Sequence, residues 1–270
     1  MPDVIIIGGG PAGVSAALTA MHRNKSVVIV SSAPEDSALW RAERVDNYPG
    51  FPEISGRELV ERLSAHAVAS GAKLVRGRAL SIMPMGGGFG VSVGSDFYEA
   101  KAVVLAAGLA RAKPFPGERE FLGAGVSYCA TCDGMLYRGK RVAVLGLSAD
   151  AEEEAAFLAS IGCEVEYFDK KRAAKFEIRG KERVETLVAD GTEYPVSGVF
   201  VLRAGVAPGD LLPGVELIDG HISANTEMAT AVPGVFACGD CVGAPYQIAK
   251  AVGEGNIAGI SASKYVENTK

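Results

Sequence analysis

Apolar runs, glycine-rich turns and alanine-rich segments follow one another in a regular order along this chain. Near the N-terminus, the apolar run DVIII leads into GGGPAG, then into VSAALTAMHRN and a second apolar run, KSVVIVSS. Short continuous apolar runs bounded by turn residues indicate buried strands, and the longer alanine-rich segment indicates a helix. The opening therefore predicts a strand–turn–helix–strand unit of a parallel sheet.

The same order recurs in the middle of the chain and, in part, near its end. The segment RVAVLGLSADAEEEAAFLASIGCEVEYFD again predicts strand, turn, helix and strand. The segment PGVFACGD predicts a short buried strand, and a long helix rich in small residues follows it. Proline- and glycine-containing stretches, KPFPGE and RAGVAPGD, fit linkers on either side of the middle unit. This pattern favours an α/β protein.

Composition narrows the class of protein. The 270 residues are 48% hydrophobic and 22% charged, enough for one large core or two modest ones, and we expect two domains. A net charge of -5 argues against general nucleic-acid binding. The first apolar run passes directly into glycines without a preceding basic segment, so we expect neither a signal peptide nor a membrane span. We expect a soluble, cytoplasmic protein.

The glycines of the first turn have the spacing G-x-G-x-x-G: Gly8, Gly10 and Gly13. Between a strand and a helix, this spacing indicates a dinucleotide site. The first glycine permits the tight turn, the second lets a pyrophosphate approach the backbone, and the third lets the helix pack closely; the helix N-terminus attracts the phosphates. The second strand ends in Ser31 and not in an acid that would bind a ribose, with Glu35 and Asp36 as alternatives.

Two cysteine pairs have CxxC spacing, and we interpret them differently. Cys129-Ala-Thr-Cys132-Asp133 is typical of a dithiol that exchanges electrons, because one thiolate attacks a disulfide sulfur and the other cysteine resolves the mixed disulfide. The remaining cysteines are predicted to be small buried residues: Cys163, Cys238 and Cys241. No histidine lies at ligand spacing from either pair, so no metal site is predicted.

Three motifs in this order, GGGPAG, CATCD and GVFACGD before a small-residue helix, resemble the low-molecular-weight thioredoxin reductase family of flavoproteins. The resemblance covers essentially the whole chain. It implies two Rossmann-like domains of three-layer ββα type, with the FAD domain interrupted by a shortened second dinucleotide-type domain that carries the CxxC motif. We place the FAD domain at residues 1–113 and 207–270 and the insert at 114–206. The family also implies a homodimer.

The resemblance implies roles for particular residues of the FAD site. Asn47 would lie beside the flavin, Asp240 would bond the ribitol, and Gln247 would approach the isoalloxazine ring. The complete set of FAD-binding residues implied in this way is Gly8, Gly10, Pro11, Ala12, Gly13, Ser31, Asn47, Gly239, Asp240, Gln247 and Ile248.

The resemblance also assigns the redox chemistry. Cys132 would be the sulfur that faces the flavin, Cys129 would attack thioredoxin, and Asp133 would manage the proton. The lone tryptophan, Trp40, lies in the segment SALWRAERVDNYPGF that leads to Asn47, and a packing role and a role at the ring edge are equally consistent with that position.

The second dinucleotide turn lacks most of its binding features. Gly146 keeps the tight turn and Ala151 stands for the third glycine, but Ser148 places a Cβ where a pyrophosphate would approach. Asp150 and Glu152 add carboxylates that repel a diphosphate. At the end of the next strand, Asp169, Lys170 and Lys171 replace the His-Arg-Arg of NADPH-using relatives. An aspartate there can accept a 2′-hydroxyl, which keeps NADH open as a donor.

An intact CATC motif beside lost nicotinamide motifs is similar to the ferredoxin-dependent flavin thioredoxin reductases, as are the stretches RNKSVVIV, PYQIAKAVGEG and GVFVL. This similarity implies that reduced ferredoxin, a small acidic protein, supplies the electrons and that thioredoxin receives them. A run of seven bases can steer an acidic partner, although a solvated hairpin explains it equally well. The bases are Lys170, Lys171, Arg172, Lys175, Arg179, Lys181 and Arg183.

Three further functions stay open on the sequence alone. The first is an NADH- or NADPH-dependent thioredoxin reductase that tolerates Ser148. The second is a dithiol oxidase, which passes electrons from a dithiol through flavin to oxygen. The third is a flavin-bound redox sensor without turnover, against which the intact CATCD motif argues.

Overall fold

The computed structural model describes residues 1–108, 114–203 and 208–269. Two compact units make up the chain: residues 1–110 with 205–270 form unit 1, and residues 111–204 form unit 2. The boundaries expected from the sequence, after residues 113 and 206, lie outside the described ranges. Within those ranges, none of the helices has the length and apolar character that crossing a membrane requires.

The strands and α-helices follow in chain order. Residues 1–108 contain β1 (Val4–Ile7), α1 (Pro11–His22), β2 (Val27–Ser31), α2 (Gly56–Ala69), β3 (Lys73–Arg76), β4 (Ala79–Met85), β5 (Gly88–Val93), β6 (Asp96–Ala100) and β7 (Ala102–Leu105). Residues 114–203 contain β8 (Val126–Ser127), α3 (Ala130–Asp133), β9 (Arg141–Leu147), α4 (Ala151–Ser160), β10 (Glu164–Phe168), β11 (Phe176–Gly180), β12 (Val184–Ala189), β13 (Thr192–Pro195) and β14 (Gly198–Arg203). Residues 208–269 contain α5 (Pro208–Leu211), β15 (Leu217–Ile218), β16 (His221–Ile222), β17 (Val235–Ala237) and α6 (Ile248–Asn268).

Unit 1 is built on a parallel sheet in the order β17-β7-β1-β2-β3. Successive side chains of β1 point to opposite faces. Val4 and Ile6 pack in the core shared with α1 and α6, whereas Ile5 and Ile7 pack in the core shared with the antiparallel sheet β4-β5-β6. Helices, parallel sheet and antiparallel sheet therefore form three layers. The strand–turn–helix–strand prediction for the opening is confirmed, with the helix beginning at Pro11, where proline's missing N–H has no cost.

Unit 2 repeats this arrangement on a smaller scale. Its parallel sheet has the order β10-β9-β14-β8, and a second sheet has the order β11-β12-β13. Val142 and Val144 of β9 pack against the side that carries α3 and α4, while Ala143 and Leu145 pack against the antiparallel sheet. The predicted fold class, two Rossmann-like three-layer ββα domains, is confirmed. In such sheets a dinucleotide binds outside the carboxyl ends of the strands, where the strand order reverses; β1 and β9 hold these central positions.

Candidate active site

Cys129 and Cys132 of unit 2 are joined by a disulfide, and their Cα atoms are 5.4 Å apart. Cys129 lies immediately before α3, where its Sγ accepts a hydrogen bond from the N–H of Cys132 over 3.1 Å. The hydroxyl of Thr131 lies 3.3 Å from the same sulfur. A backbone N–H directed at a sulfur stabilises its thiolate once the disulfide opens. Cys129 is thus placed to act as a stable leaving thiolate.

The two sulfur-bearing residues differ in exposure. Cys129 is 6% exposed, whereas Cys132 is exposed. Exchange with a protein disulfide requires access to the reacting sulfur. The flavin and the partner disulfide both need access to a sulfur, so exposure does not assign the two roles, and the expected division, with Cys132 facing the flavin and Cys129 meeting thioredoxin, stays a prediction. The CxxC spacing alone carries no information on which cysteine is covered.

Asp133 ends α3 and contacts a buried serine that the sequence analysis did not single out. Ser127 is 4% exposed, and its Oγ lies 2.6 Å from Oδ2 of Asp133. The same Oγ accepts the N–H of Cys129 over 3.1 Å. The acid is therefore held on the side of α3 that faces β8. A serine two residues before the first cysteine was the available signal in the sequence.

Glu154 of α4 also contacts the redox segment. Its carboxylate accepts the backbone N–H of Ala130 over 3.0 Å, which satisfies a donor in the first turn of α3. Glu154 lies in the first turn of α4, where the second dinucleotide motif would direct a diphosphate. This acid stabilises the CATC segment and adds negative charge near the second turn.

A buried ion pair connects the first and last described segments of unit 2. Glu118 is 1% exposed and accepts from both terminal nitrogens of Arg203, from the N–H of Phe115 over 2.9 Å, and from the hydroxyl of Tyr128 over 3.1 Å. The guanidinium of Arg203 lies 4.7 Å from the ring centre of Phe115. A carboxylate at this depth is stable only with such partners. Because Tyr128 precedes Cys129, the ion pair also anchors the redox segment.

The second dinucleotide turn is filled by side chains of unit 2. A Cβ added at Gly146 would lie 2.2 Å from the hydroxyl of Tyr167, so this tyrosine covers the turn. Ser148 has a buried Oγ with no hydrogen-bond partner among the residues that the structure describes. Burial first, and then the charges of Glu152 and Asp169, raise the pKa of Tyr167. The turn therefore presents a tyrosine ring and acids where a dinucleotide needs open backbone and N–H groups.

The aspartate after β10 has a local structural role. Oδ1 of Asp169 accepts the N–H of Lys171 over 3.0 Å and that of Arg172 over 2.9 Å. The Arg172 guanidinium lies 4.2 Å from the ring centre of Phe168 and donates to Glu166 over 2.7 Å. These contacts stabilise the turn, and they weaken the idea that Asp169 serves the ribose of NADH.

The basic run from Lys170 to Arg183 does not form one continuous surface. Arg172 and Arg179 are paired with carboxylates, the latter with Glu177 over 2.8 Å. The other bases are exposed, but Lys175 precedes β11 and Lys181 follows it. Five residues of strand span about 17 Å, which exceeds the screening length of about 8–10 Å at physiological salt. The expected patch is thus divided into two smaller basic clusters, one before β11 (Lys170, Lys171 and Lys175) and one after it (Lys181 and Arg183).

The first turn of unit 1 has the geometry of an open dinucleotide cradle. Gly8 has a φ of +114°, and a Cβ there would lie 2.1 Å from the carbonyl oxygen of Ala106. A Cβ at Gly13 would lie 1.9 Å from the carbonyl oxygen of Gly8. At Gly10 a Cβ would meet no atom within 4 Å. Two glycines are therefore required by the protein's own packing, while the space beside Gly10 is left for a ligand.

The loop after β17 is held in place by a charged pair on α6. Gly239 has a φ of +82°, and its N–H donates to Glu254 over 2.8 Å. Lys250 donates to the carbonyls of Gly239 and Gly243 and is 3.2 Å from Glu254. The loop carries Asp240 in the short 3-10 helix Gly239–Val242. The Lys250–Glu254 pair, which sequence analysis missed, fixes the backbone on both sides of this carboxylate.

Two distant residues expected at the flavin come together in unit 1. The side-chain amide of Asn47 donates to Oε1 of Gln247 over 3.0 Å, although 200 positions separate them in the chain. Gln247 precedes α6, whose first residue is Ile248. Trp40, in the same segment as Asn47, lies 5.2 Å from the guanidinium of Arg57. The N-terminal and C-terminal motifs thus contribute to one site.

The remaining predicted cofactor residues surround the first turn. Pro11 and Ala12 begin α1, and Ser31 ends β2 with its Oγ 2.9 Å from the Cβ position of Gly9. α6 packs closely on α1, since a Cβ at Gly255 would lie 2.1 Å from the carbonyl oxygen of Ala12. An open glycine turn, a helix N-terminus, a fixed carboxylate loop and an amide pair are the features that a dinucleotide with a flavin ring requires. The residues present fit FAD.

The other three cysteines are buried where a thiol is a poor nucleophile. Cys163, Cys238 and Cys241 are buried free thiols. Burial raises the pKa of Cys163 and of Cys238, and it raises the pKa of Cys241 to about 12. A thiol that stays protonated is a poor nucleophile. The second CxxC pair therefore packs in the core, as predicted.

Comparison with known proteins agrees with this geometry. The sequence profile of the pyridine nucleotide-disulphide oxidoreductase family matches residues 2–175 and 170–255. A thioredoxin reductase of Bacillus subtilis (strain 168) is 34% identical over 300 residues, which cover 98% of this chain and 95% of that protein. The crystal structure of a ferredoxin-flavin thioredoxin reductase from Clostridium acetobutylicum has a TM-score of 0.93 and 36% identity, covering 99% of this chain and 98% of that one. A thioredoxin reductase structure from Gloeobacter violaceus has a TM-score of 0.85 and 32% identity, covering 100% and 95%.

The two dinucleotide-type units and the redox disulfide define a flavin-dependent disulfide oxidoreductase. FAD is its cofactor, and it is an enzyme. The extent of the match then makes the family specific: the chain belongs to the thioredoxin reductases.

Proposed function

We propose that this protein reduces thioredoxin through the Cys129–Cys132 pair with electrons from reduced ferredoxin. The observation that carries the proposal is the contrast between the two dinucleotide turns. The turn of unit 1 is open beside Gly10, whereas Tyr167, Ser148 and nearby acids fill the turn of unit 2. The similarity to a ferredoxin-flavin thioredoxin reductase over 99% of the chain supports the same donor.

The residues of unit 1 hold the cofactor in this proposal. The N-terminus of α1 binds the pyrophosphate, the loop before α6 bonds the ribitol through Asp240, and the Asn47–Gln247 pair lies beside the ring. FAD, when bound, accepts electrons singly or in pairs and passes a pair to the disulfide. The set that we assign to FAD is Gly8, Gly10, Pro11, Ala12, Gly13, Ser31, Asn47, Gly239, Asp240, Gln247 and Ile248.

The chemistry of exchange follows from the surroundings of the two sulfurs. Cys132 is the exposed sulfur that faces the flavin, and Cys129, whose sulfur accepts an N–H, is the thiolate that leaves when the disulfide opens and that then attacks thioredoxin. Asp133 supplies and removes the proton. The N–H directed at the sulfur of Cys129 is the observation that makes us assign the mixed disulfide to Cys129.

An apolar surface directly follows the dithiol. Met135 is 59% exposed and Leu136 is 69% exposed, both within the segment Gly134–Tyr137 after Asp133. Large apolar side chains beside an exposed reactive cysteine indicate a contact surface for a protein partner. We propose that thioredoxin docks on Met135 and Leu136.

Leu136→Glu is expected to raise the KM for thioredoxin about tenfold, because it places a charge in a contact surface that loses water on binding. Steady-state kinetics with varied thioredoxin measures this. The kcat should change less than the KM, since the cysteines are untouched. Leu122→Glu, at another exposed leucine of unit 2 (44%), is the matched control. An equal rise in KM for both variants would contradict a specific contact at Leu136.

The electron donor is tested with the purified yellow protein under anaerobic conditions. Reduced ferredoxin is expected to bleach the flavin band, and NADPH and NADH to bleach it at least about 10³-fold more slowly, because neither has a binding turn in unit 2. Stopped-flow absorbance gives the rates, and addition of oxidised thioredoxin shows whether the electrons are passed on. Fast bleaching by either nucleotide would establish a conventional reductase.

A dithiol oxidase and a redox sensor would behave differently with the same purified protein. A dithiol oxidase would consume oxygen rapidly with a small dithiol and without thioredoxin. A redox sensor would hold FAD and turn over with no donor. The homodimer, the cytoplasmic location and a ferredoxin contact at one of the two basic clusters stay predictions.

A further inference from the structure

A single buried hydroxyl contacts both the proposed acid and the backbone of the redox cysteine. Oγ of Ser127, at the end of β8, lies 2.6 Å from Oδ2 of Asp133. It accepts the N–H of Cys129 over 3.1 Å, and the carbonyl oxygen of Cys129 lies 3.2 Å away. Ser127 is 4% exposed, so bulk water does not compete freely for these bonds.

This arrangement suits a carboxyl group that changes its protonation state. A serine hydroxyl has one proton to donate and two lone pairs to accept with. With Asp133 ionised, Ser127 donates to Oδ2 in a charge-assisted bond. With Asp133 protonated on that oxygen, the carboxyl donates to Oγ, and the hydroxyl proton turns to the Cys129 carbonyl. Each buried group keeps a partner in both states.

We propose that Ser127 is a positioning residue that holds Asp133 in both protonation states while the disulfide opens and closes. The inference rests on the proposed role of Asp133. When two electrons enter the Cys129–Cys132 bond, the S–S bond breaks into two thiolates. Asp133 gives its proton to one thiolate and becomes the carboxylate that accepts from Ser127. The second thiolate stays ionised for attack on the partner disulfide, which balances protons and charge.

Ser127→Ala tests this assignment in the full FAD-loaded protein. The enzyme is reduced anaerobically with dithionite and mixed with oxidised thioredoxin, and the single-turnover rate is measured from acid to alkaline pH. Without the donor the carboxylate form is less stable, so the pH profile is expected to move about one unit towards higher pH. The maximal rate is expected to fall about tenfold.

Two variants serve as controls. Ser148→Ala removes another buried hydroxyl of unit 2, one with no hydrogen-bond partner among the described residues, and should keep the wild-type profile. Ser127→Thr retains the hydroxyl and should restore the profile. If the alanine variant does not accumulate, Ser127→Cys, which keeps the volume but donates weakly, is expected to show the same shift.

An unshifted profile in Ser127→Ala would overturn the inference, as would an equal shift in Ser148→Ala. Asp133→Asn separates this failure from a failure of the proposed function. If Asp133→Asn leaves both rate and profile unchanged, the role of Asp133 itself is wrong. If Asp133→Asn makes the single-turnover rate independent of pH, while Ser127→Ala leaves the pH dependence where it is in the wild type, only the role of Ser127 is wrong.

Discussion

Serine in place of either Cys129 or Cys132 is expected to lower thioredoxin turnover by at least about 10³-fold, because each sulfur is needed to form and then resolve the mixed disulfide. Reduction of the flavin by the donor should persist in both variants, since the FAD residues lie in unit 1. Stopped-flow absorbance at the flavin band and insulin-coupled thioredoxin assays measure the two steps separately.

The two variants should differ in what they trap. Cys132→Ser retains Cys129, the proposed attacking thiol, and is expected to accumulate a mixed disulfide with a thioredoxin that lacks its resolving cysteine, seen by non-reducing electrophoresis and mass spectrometry. Cys129→Ser should trap far less. Cys163→Ser, which removes a buried free thiol of the same unit, is the control and should retain turnover. Trapping by Cys129→Ser alone would reverse the roles, with the exposed Cys132 as the attacking thiol.

Alanine at Gly10 and alanine at Gly13 are expected to fail in different ways. The Cβ at Gly10 enters open space, so the variant should fold but lose about 1–3 kcal/mol of FAD affinity, or about 5–150-fold. The Cβ at Gly13 lies 1.9 Å from the carbonyl oxygen of Gly8, so that variant should lose more than about 3 kcal/mol of folding stability.

Far-UV circular dichroism with thermal melts measures the fold, and fluorescence of released flavin measures the affinity. Gly86→Ala is a matched control, because its Cβ also meets no atom within 4 Å but it lies in the hairpin between β4 and β5. Normal FAD binding by Gly10→Ala would show that the pyrophosphate does not approach this glycine.

The sequence predicted the elements whose physical causes are local. Apolar runs of four to seven residues became β1, β2 and β9, and the glycine spacing located the first turn, because strand burial and positive φ depend on short stretches of chain. The burial of Cys238, directly after β17, was predicted from the apolar run that it ends. The GVFACGD motif also located the loop before α6.

Contacts between distant residues could not be predicted in this way. The Glu118–Arg203 pair joins residues 85 positions apart, and the Asn47–Gln247 bond joins residues 200 apart. Only the folded chain brings these groups together. The basic run shows the opposite effect: residues close in sequence are separated by a strand, so a linear charge count overstated the patch.

The Glu118–Arg203 pair has a consequence for how unit 2 can be altered. Since both partners belong to unit 2, the spacing between its first and last described segments is set inside the unit and not by the linkers. A longer or more flexible linker should then leave the position of β8, which leads to Tyr128 and Cys129, unchanged within unit 2. The segment that carries the redox pair is thus anchored by side chains of its own unit.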